Sequence, residues 1–154
     1  MKQLFLVLFT VFALSLAVSA QETIEFDVNG VKIETTEAEV IQKLGKPLSR
    51  KKGVSNNECR GGSQVILHYP GLVFDLDIKD KSGVAATTVT SPKWSFSGIR
   101  IGASISEVEK KFGDGKAERK KGLDYLNYIV GDGFAEFVFQ KGNLVKIYWE
   151  FNFC

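Results

Sequence analysis

No group of residues in this sequence has the types and spacing of a credible catalytic site. The only histidine, His68, lies between Leu67 and Tyr69, and a nucleophilic set can be written only by joining it to Cys59 and Asp75. That set requires Cys59 to be a free thiol. The sequence contains no CxxC or HExxH spacing and no glycine-rich phosphate loop. We therefore predict a protein that is not an enzyme, binds no metal and needs no cofactor.

An acidic run from Asp75 to Asp80 has the alternating aspartates of a calcium-binding loop. Lys79, however, occupies the fifth position of such a loop, and no glutamate stands at the twelfth. Apolar and polar residues alternate from position 72 to position 79, which is typical of a half-buried strand. The run is therefore predicted to be the end of a strand that enters a polar turn.

The N-terminus has the layout of a secretory signal peptide. An apolar run from residue 4 to residue 18 follows Lys2 and leads to small residues before Gln21. The run is shorter than the ~20 apolar residues of a membrane-spanning helix, and an uncleaved anchor is the alternative interpretation. We predict cleavage after Ala20 and a secreted or periplasmic mature protein without a membrane span. Because position 21 is not cysteine, lipid attachment is not expected.

Export would place the two cysteines, Cys59 and Cys154, in an oxidising compartment. An even number of cysteines there favours a disulfide. The bridge would close a loop of about 95 residues, which the chain-entropy model values at roughly 4 to 5 kcal/mol. Two free thiols or an intermolecular bridge are the alternatives.

The charge of the mature chain argues against a nucleic-acid partner. Loss of Lys2 from the 20 basic residues leaves 19 against 18 acidic ones, so the chain has no long-range attraction for nucleic acid or anionic lipid. Basic residues nevertheless cluster at 50–52 and at 119–121. They could form an anion or lipopolysaccharide patch, but solvated hairpins in a nearly neutral chain are the favoured interpretation.

One segment of the sequence occurs twice with an offset of 68 residues. Between 30–45 and 98–113, six of 16 aligned positions are identical, where average composition predicts about one. Each copy contains a capping box, Thr36-x-x-Glu39 or Ser104-x-x-Glu107, and then a glycine that can end a short helix. The sequence therefore predicts helices near 37–44 and 105–112 and an ancestral duplication.

Alternating apolar residues after each helix predict strands. They lie near 65–69, 72–79 and 84–90 in the first copy and near 124–130, 134–140 and 144–153 in the second. A short strand or hairpin is also expected before each helix, at 24–33 and 94–101. We therefore predict an α+β fold of two tandem helix-plus-antiparallel-meander repeats, at 21–91 and 92–154, after the signal peptide at 1–20. The repeats would form one sheet with both helices on one face.

The motif at 98–113 resembles a known superfamily. It reads G-I-x-I-G-x-S-x-x-E-V-x-x-x-F-G, is followed by a meander, and occurs twice, which resembles the β-lactamase-inhibitor-protein-like (BLIP-like) superfamily. It is also similar to the small outer-membrane assembly lipoproteins of the SmpA/OmlA type. The resemblance implies a non-enzymatic protein that presents an open sheet face to a partner, and it transfers no individual contact residue to this chain.

The last two predicted strands supply the candidate binding residues. The odd-numbered positions from 145 to 153 form an apolar face, so the even-numbered positions point to the other side of the sheet. Tyr148 stands there between two charged residues, a composition common in protein-binding hot spots. That these side chains merely cover the sheet is the alternative. The partner-binding candidates are Phe134, Glu136, Lys146, Tyr148 and Glu150.

These inferences lead to a functional hypothesis. We expect an exported non-enzymatic binding protein that uses the helix-free face of its sheet to bind a protein partner, in the manner of an inhibitor or an immunity protein. A structural or assembly factor of the cell envelope or outer membrane is the alternative, and it would co-purify with membranes. A small hydrolase that uses His68 is a third and less favoured hypothesis.

Overall fold

The computed structural model describes residues 25–54, 62–78 and 83–151. Within these ranges the chain forms two helices and eight strands, and all the strands belong to one antiparallel sheet with the order β1-β2-β3-β4-β8-β7-β6-β5. No helix in the described ranges is long and apolar enough to cross a membrane. The elements in chain order are α1 (Glu37–Leu44), β1 (Ser49–Val54), β2 (Ser63–Tyr69), β3 (Leu72–Asp77), β4 (Val84–Val89), α2 (Ile105–Phe112), β5 (Lys116–Lys120), β6 (Leu123–Val130), β7 (Gly133–Gln140) and β8 (Asn143–Phe151).

The predicted fold class, α+β with two tandem helix-plus-antiparallel-meander repeats, is wrong. The described residues form a sheet-dominated fold, in which an eight-stranded antiparallel sheet is accompanied by two helices of only eight residues each. Strands β1 and β5, which the sequence did not predict, extend the sheet at its two edges. They escaped prediction because neither contains a buried residue, so neither has an alternating apolar pattern.

The hairpins predicted before the helices are shorter in the structure than the sequence suggested. Each is a tight turn with a single isolated bridge, and the two turns bridge to each other through Val28 and Phe96, both fully buried. The N–H of Asn29 donates to the carbonyl oxygen of Ser95 at 3.1 Å. Because these backbone groups bond across to the other turn, neither turn extends into a hairpin of its own.

The helices begin and end as their local sequence predicts. Thr36 caps α1: the Glu39 N–H donates to its Oγ1 at 3.4 Å, and Glu39 Oε2 accepts from the Thr36 N–H at 2.8 Å. Ser104 forms the same capping box for α2. The glycines that end the helices, Gly45 and Gly113, have φ of 82° and 81°, a region that favours glycine. The predicted helix bounds are therefore confirmed.

The sheet has two faces of different composition. Leu67, Phe74 and Trp149 lie on one face and belong to the same buried cluster as Val40 of α1 and Phe112 of α2, so both helices pack on this buried face. The alternate residues of the same strands form the opposite surface, called the open face below, on which neither α1 nor α2 packs. By strand register, the open face includes Ile66, His68, Val73, Asp75, Ala86, Thr88, Asn127, Ile129, Phe134, Glu136, Val138, Lys146, Tyr148 and Glu150.

Two tyrosines tie the helices to the buried face. Tyr69 of β2 donates its hydroxyl to the carbonyl oxygen of Gly45 at 2.9 Å, and Tyr128 of β6 donates to that of Gly113 at 2.9 Å. Burial raises the pKa of both phenols, and nearby carboxylates raise it further. Each hydroxyl thus satisfies a carbonyl at a helix end that the helix itself leaves without a partner.

Candidate functional site

Strands β7 and β8 bring the five candidate binding residues together on the open face. Their antiparallel register places Phe134 opposite Glu150 and Glu136 opposite Tyr148. Lys146 lies two positions before Tyr148 on the same side of β8. Residues directly opposite in such a pair have Cβ atoms about 5 Å apart. All five residues are half-buried, and their register places the sequence-derived set on one contiguous surface.

The turn and a bulge between β7 and β8 set this register. Lys141 and Gly142 form a two-residue turn with φ of 53° and 79°, as the tight hairpin turns between twisted strands require. Beyond it, Val138 pairs with Lys146 whereas Phe139 pairs with Leu144. The extra residue of this bulge is position 145, so the apolar face predicted to begin there begins instead at position 144, which is buried.

Tyr148 is the centre of what we call the aromatic cluster, formed by Phe134, Lys146, Tyr148 and Glu150. Its hydroxyl donates to Glu150 Oε2 at 2.6 Å. Its ring centroid is 5.6 Å from that of Phe134, with the ring planes tilted by 56°, and Lys146 Nζ lies 5.6 Å from the same ring. These distances are within the ranges of aromatic pairs and cation–π contacts. The tyrosine is therefore held in one orientation at the surface.

Ile129 enlarges this surface, and sequence reasoning missed it. Its side chain is 87% exposed, and its backbone lies opposite Phe134 in the pairing of β6 with β7. The signal was present in the alternation of β6, which places Tyr125, Asn127 and Ile129 on one side. An exposed isoleucine beside a half-exposed phenylalanine extends the apolar part of the aromatic cluster toward the edge of the sheet.

Carboxylates lie across the middle of the open face. Asp75 of β3 and Glu150 of β8 both pair with Ala86 of β4 from opposite sides. Two strand spacings, about 9.6 Å, therefore separate their backbones, and only the small side chain of Ala86 stands between them. Glu136 adds a third carboxylate beside Tyr148. The centre of the face thus combines acidic groups with an aromatic anchor.

The residues of the hypothetical nucleophilic set are only partly described. His68 lies on the open face of β2, opposite Val73. Asp75 is on the next strand in a diagonal position, opposite Ile66. Cys59 lies outside the described residues, so the set stays a hypothesis. The predicted disulfide to Cys154 and the signal peptide at 1–20 also lie outside them.

The acidic run in β3 is confirmed as a strand. Asp75 and Asp77 are in regular antiparallel register with Ile66 and Gln64 of β2, and both are half-buried. The remaining residues of the run, from position 79, are outside the described ranges. Within those ranges, no three His, Cys, Asp or Glu side chains are grouped so that they could hold a metal ion.

The two basic clusters lie in the edge strands, apart from Lys121 in the turn after β5, and Arg50, Arg119 and Lys120 form ion pairs. Arg50 of β1 donates to both carboxylate oxygens of Glu37, at 2.6 and 3.0 Å, and these bonds lower the pKa of Glu37. Lysines at exposed sheet edges oppose pairing with other chains. Because the ion pairs already neutralise part of the positive charge, they favour solvated edge strands over a patch that binds anions. The ion pairs of the second cluster are Arg119–Asp124 at 3.5 Å and Lys120–Glu118 at 2.8 Å.

Comparisons with known proteins show a shared fold and no family. No family model and no curated protein matches the chain. Among solved structures, the chain is similar to an extracellular protein containing an SCP domain from Bacillus anthracis, with a TM-score of 0.53 and 15% identity over 77% of this chain and 44% of that one. It thus spans less than half the length of that protein. A DUF4309 family protein from Bacillus subtilis gives a TM-score of 0.45 and 12% identity over 80% of this chain and 83% of that one. At 15% identity, the likeness to the Bacillus anthracis protein concerns the fold alone.

Proposed function

We propose that this protein is an exported, non-enzymatic binding protein whose open face binds a protein partner, in the manner of an inhibitor or an immunity protein. The observation that carries the proposal is the aromatic cluster. Tyr148 is half-buried and is fixed by a 2.6 Å hydrogen bond to Glu150 and by the neighbouring Phe134 ring. Buried or half-buried aromatic anchors surrounded by polar groups carry most of the energy of protein interfaces.

The rigidity of the cluster favours binding over mere coverage of the sheet. A side chain that is already ordered loses less conformational entropy when a partner covers it, a saving of about 0.5–1.5 kcal/mol for each immobilised side chain. The 87% exposure of Ile129 next to Phe134 leaves apolar surface that a partner could remove from water at about 25 cal/mol per Å².

The charges of the open face define the chemistry of the partner. Asp75 and Glu150 flank Ala86, and Glu136 lies opposite Tyr148. A protein segment that presents an arginine or lysine beside an apolar side chain would complement Glu136 and the aromatic cluster together. Because rim charges act mainly on the association rate, the binding rate should fall as ionic strength rises.

Export is part of the proposal. It rests on the signal-peptide layout before Gln21, and one protein with a similar fold is extracellular. The resemblance of the segment at 98–113 to the BLIP-like superfamily is a further reason to propose a non-enzymatic binding role. Cleavage after Ala20 belongs to the same proposal.

Substitutions on the open face test the proposal. The mature protein is used as bait in an extract of the cell envelope and medium, and each captured protein is then purified and its affinity measured. Tyr148→Ala and Glu150→Lys should each weaken binding by about 2 kcal/mol, or roughly thirty-fold. Lys110→Ala, an exposed change on α2, is the matched control and should leave the affinity unchanged.

Thermal melting shows whether a variant binds less because a contact with the partner is lost or because the protein has unfolded. Both open-face variants should remain folded with a cooperative melt, although Tyr148→Ala should melt earlier than the wild type because it removes the hydrogen bond to Glu150 and the contact with Phe134. Wild-type affinity in both variants, or an equal loss in the α2 control, would rule out the open face as the binding surface.

A further inference from the structure

A crevice of about 380 Å³ lies where α2 meets the β5 edge of the sheet, on the buried face and therefore away from the aromatic cluster. Ile105, the first residue of α2, forms one wall, and Ala117 of β5 forms the other. Leu126 and Phe139, which are almost fully buried, lie beneath them. The crevice therefore has an apolar interior that opens at the sheet edge.

At the corresponding place on the opposite edge of the sheet, an ion pair joins the helix to the edge strand. Glu37 is the first residue of α1, as Ile105 is of α2. Arg50 lies opposite Leu67 in β1, as Ala117 lies opposite Leu126 in β5. Glu37 and Arg50 are joined by two hydrogen bonds of 2.6 and 3.0 Å. A charged bridge at one edge is thus replaced at the other by an isoleucine and an alanine, which cannot span the gap.

The charges at the crevice are unbalanced. Glu109 and Asp124 are the acidic residues that line it on the buried face, together with a single basic residue, Arg119. Arg119 is paired with Asp124 at 3.5 Å. Glu109 has no ion pair within the part of the chain that the structure describes. One carboxylate at the crevice is therefore left without a compensating cation.

We infer that the crevice binds a small amphipathic cation. An apolar body would lie against Ile105 and Leu126, and a cationic head group would lie beside Glu109. The volume falls in the range of about 300–1,000 Å³ that is usual for small-molecule sites. An anionic amphiphile of the same length would meet the same apolar interior but an unfavourable charge, so the head group decides the selectivity.

Titration of the mature protein with three probes tests the inference. The probes are octyltrimethylammonium, octyl sulfate and tetramethylammonium, each followed by calorimetry and by amide chemical shifts at α2 and β5. Octyltrimethylammonium should bind at least about ten-fold more tightly than either of the others, a difference of about 1.4 kcal/mol. The shifts should be centred on Ile105 and Ala117. Equal binding of the cationic and anionic probes, or no binding of either, would overturn the inference.

A variant that introduces the equivalent of the Glu37–Arg50 ion pair at the crevice tests the binding site most directly. Ile105→Glu combined with Ala117→Arg should place a charged bridge across the apolar walls of the crevice and lower the affinity for octyltrimethylammonium by about ten-fold or more. Ala117→Arg alone, at an exposed position, is the second variant if the double change unfolds the protein, as judged by circular dichroism. Glu109→Gln should keep the crevice but abolish the preference for the cation.

The open-face variant Tyr148→Ala is the matched control and should bind the probe like the wild type, so this test is independent of the proposed protein partner. Full retention of binding by the folded crevice variants would place the probe elsewhere and refute the inference.

Discussion

The hydroxyl of Thr87 allows the energetics of the core to be tested directly. Thr87 of β4 is 2% exposed and is paired with Phe74 on one side and Trp149 on the other. Among the described side chains, its Oγ1 is the buried polar atom that has no hydrogen-bond partner. A buried hydroxyl without a partner costs about 1–3 kcal/mol relative to one that is hydrated. Its removal should therefore stabilise the protein.

Thr87→Val makes this change with little alteration of shape. Valine replaces the hydroxyl with a methyl group, and both residues are β-branched and suited to a strand. We expect the free energy of unfolding to rise by about 1–2 kcal/mol. For a chain of this size, the melting temperature should rise by about 3 °C per kcal/mol.

Urea denaturation at constant pH measures the free energy, and thermal melting supplies the independent estimate. Thr88→Val is the control, because Thr88 is the next residue of the same strand but is half-exposed on the open face. Its effect should stay within about 0.5 kcal/mol. If Thr87→Val is no more stable than the wild type while the control is neutral, the hydroxyl has a partner and the reasoning fails.

Three further predictions concern the helix caps, a close approach and a titration. Ser104→Ala should lower the free energy of unfolding by about 1 kcal/mol in urea, since Ser104 bonds the backbone N–H of Glu107 at 3.3 Å; an unchanged midpoint would show that the cap is dispensable. Gly83→Ala should be more destabilising than Ser104→Ala and should melt at a lower temperature, because Gly83 has φ of 55° and an added Cβ would lie 2.4 Å from a backbone carbonyl oxygen. The pKa of Tyr128 is raised above 10.0 in the folded state, chiefly by burial, so its contribution to stability is complete below pH 10 and is lost as the pH rises through the folded value. Unfolding free energies measured from pH 9 upward should therefore fall more steeply for the wild type than for Tyr128→Phe, and parallel curves would contradict this.

The helices could be predicted from the sequence because their determinants are local. A capping box is formed by residues three positions apart, as in Thr36 and Glu39, so no tertiary information is needed to find it. The inner strands were predicted within a few residues of their observed ends for a similar reason, since alternation reports which residues face the core. The fold class was wrong because such patterns do not reveal strands that bury nothing.

For the candidate site, too, the features that depend on nearby residues could be predicted, whereas those that depend on strand pairing could not. Alternation alone placed Phe134 and Tyr148 on the side of their strands away from the core. Their contact depends on which residue of β7 lies opposite which residue of β8, and this register is set by the turn at Lys141 and the bulge beside Val138. Ile129 joins the cluster through a further pairing, between β6 and β7. The register between distant strands is not determined by any single segment of the sequence.

The edges of the sheet explain why association would use a face and not strand addition. If β5 paired with a second copy of itself around Glu118, Lys116 would lie opposite the partner's Lys120, and like charges in that position are destabilising. Strand β1 is also protected, since it has three consecutive basic residues from Arg50. Among the described residues, both edges oppose pairing and the helices cover the buried face, so we propose the open face, on which the aromatic cluster lies, as the partner surface.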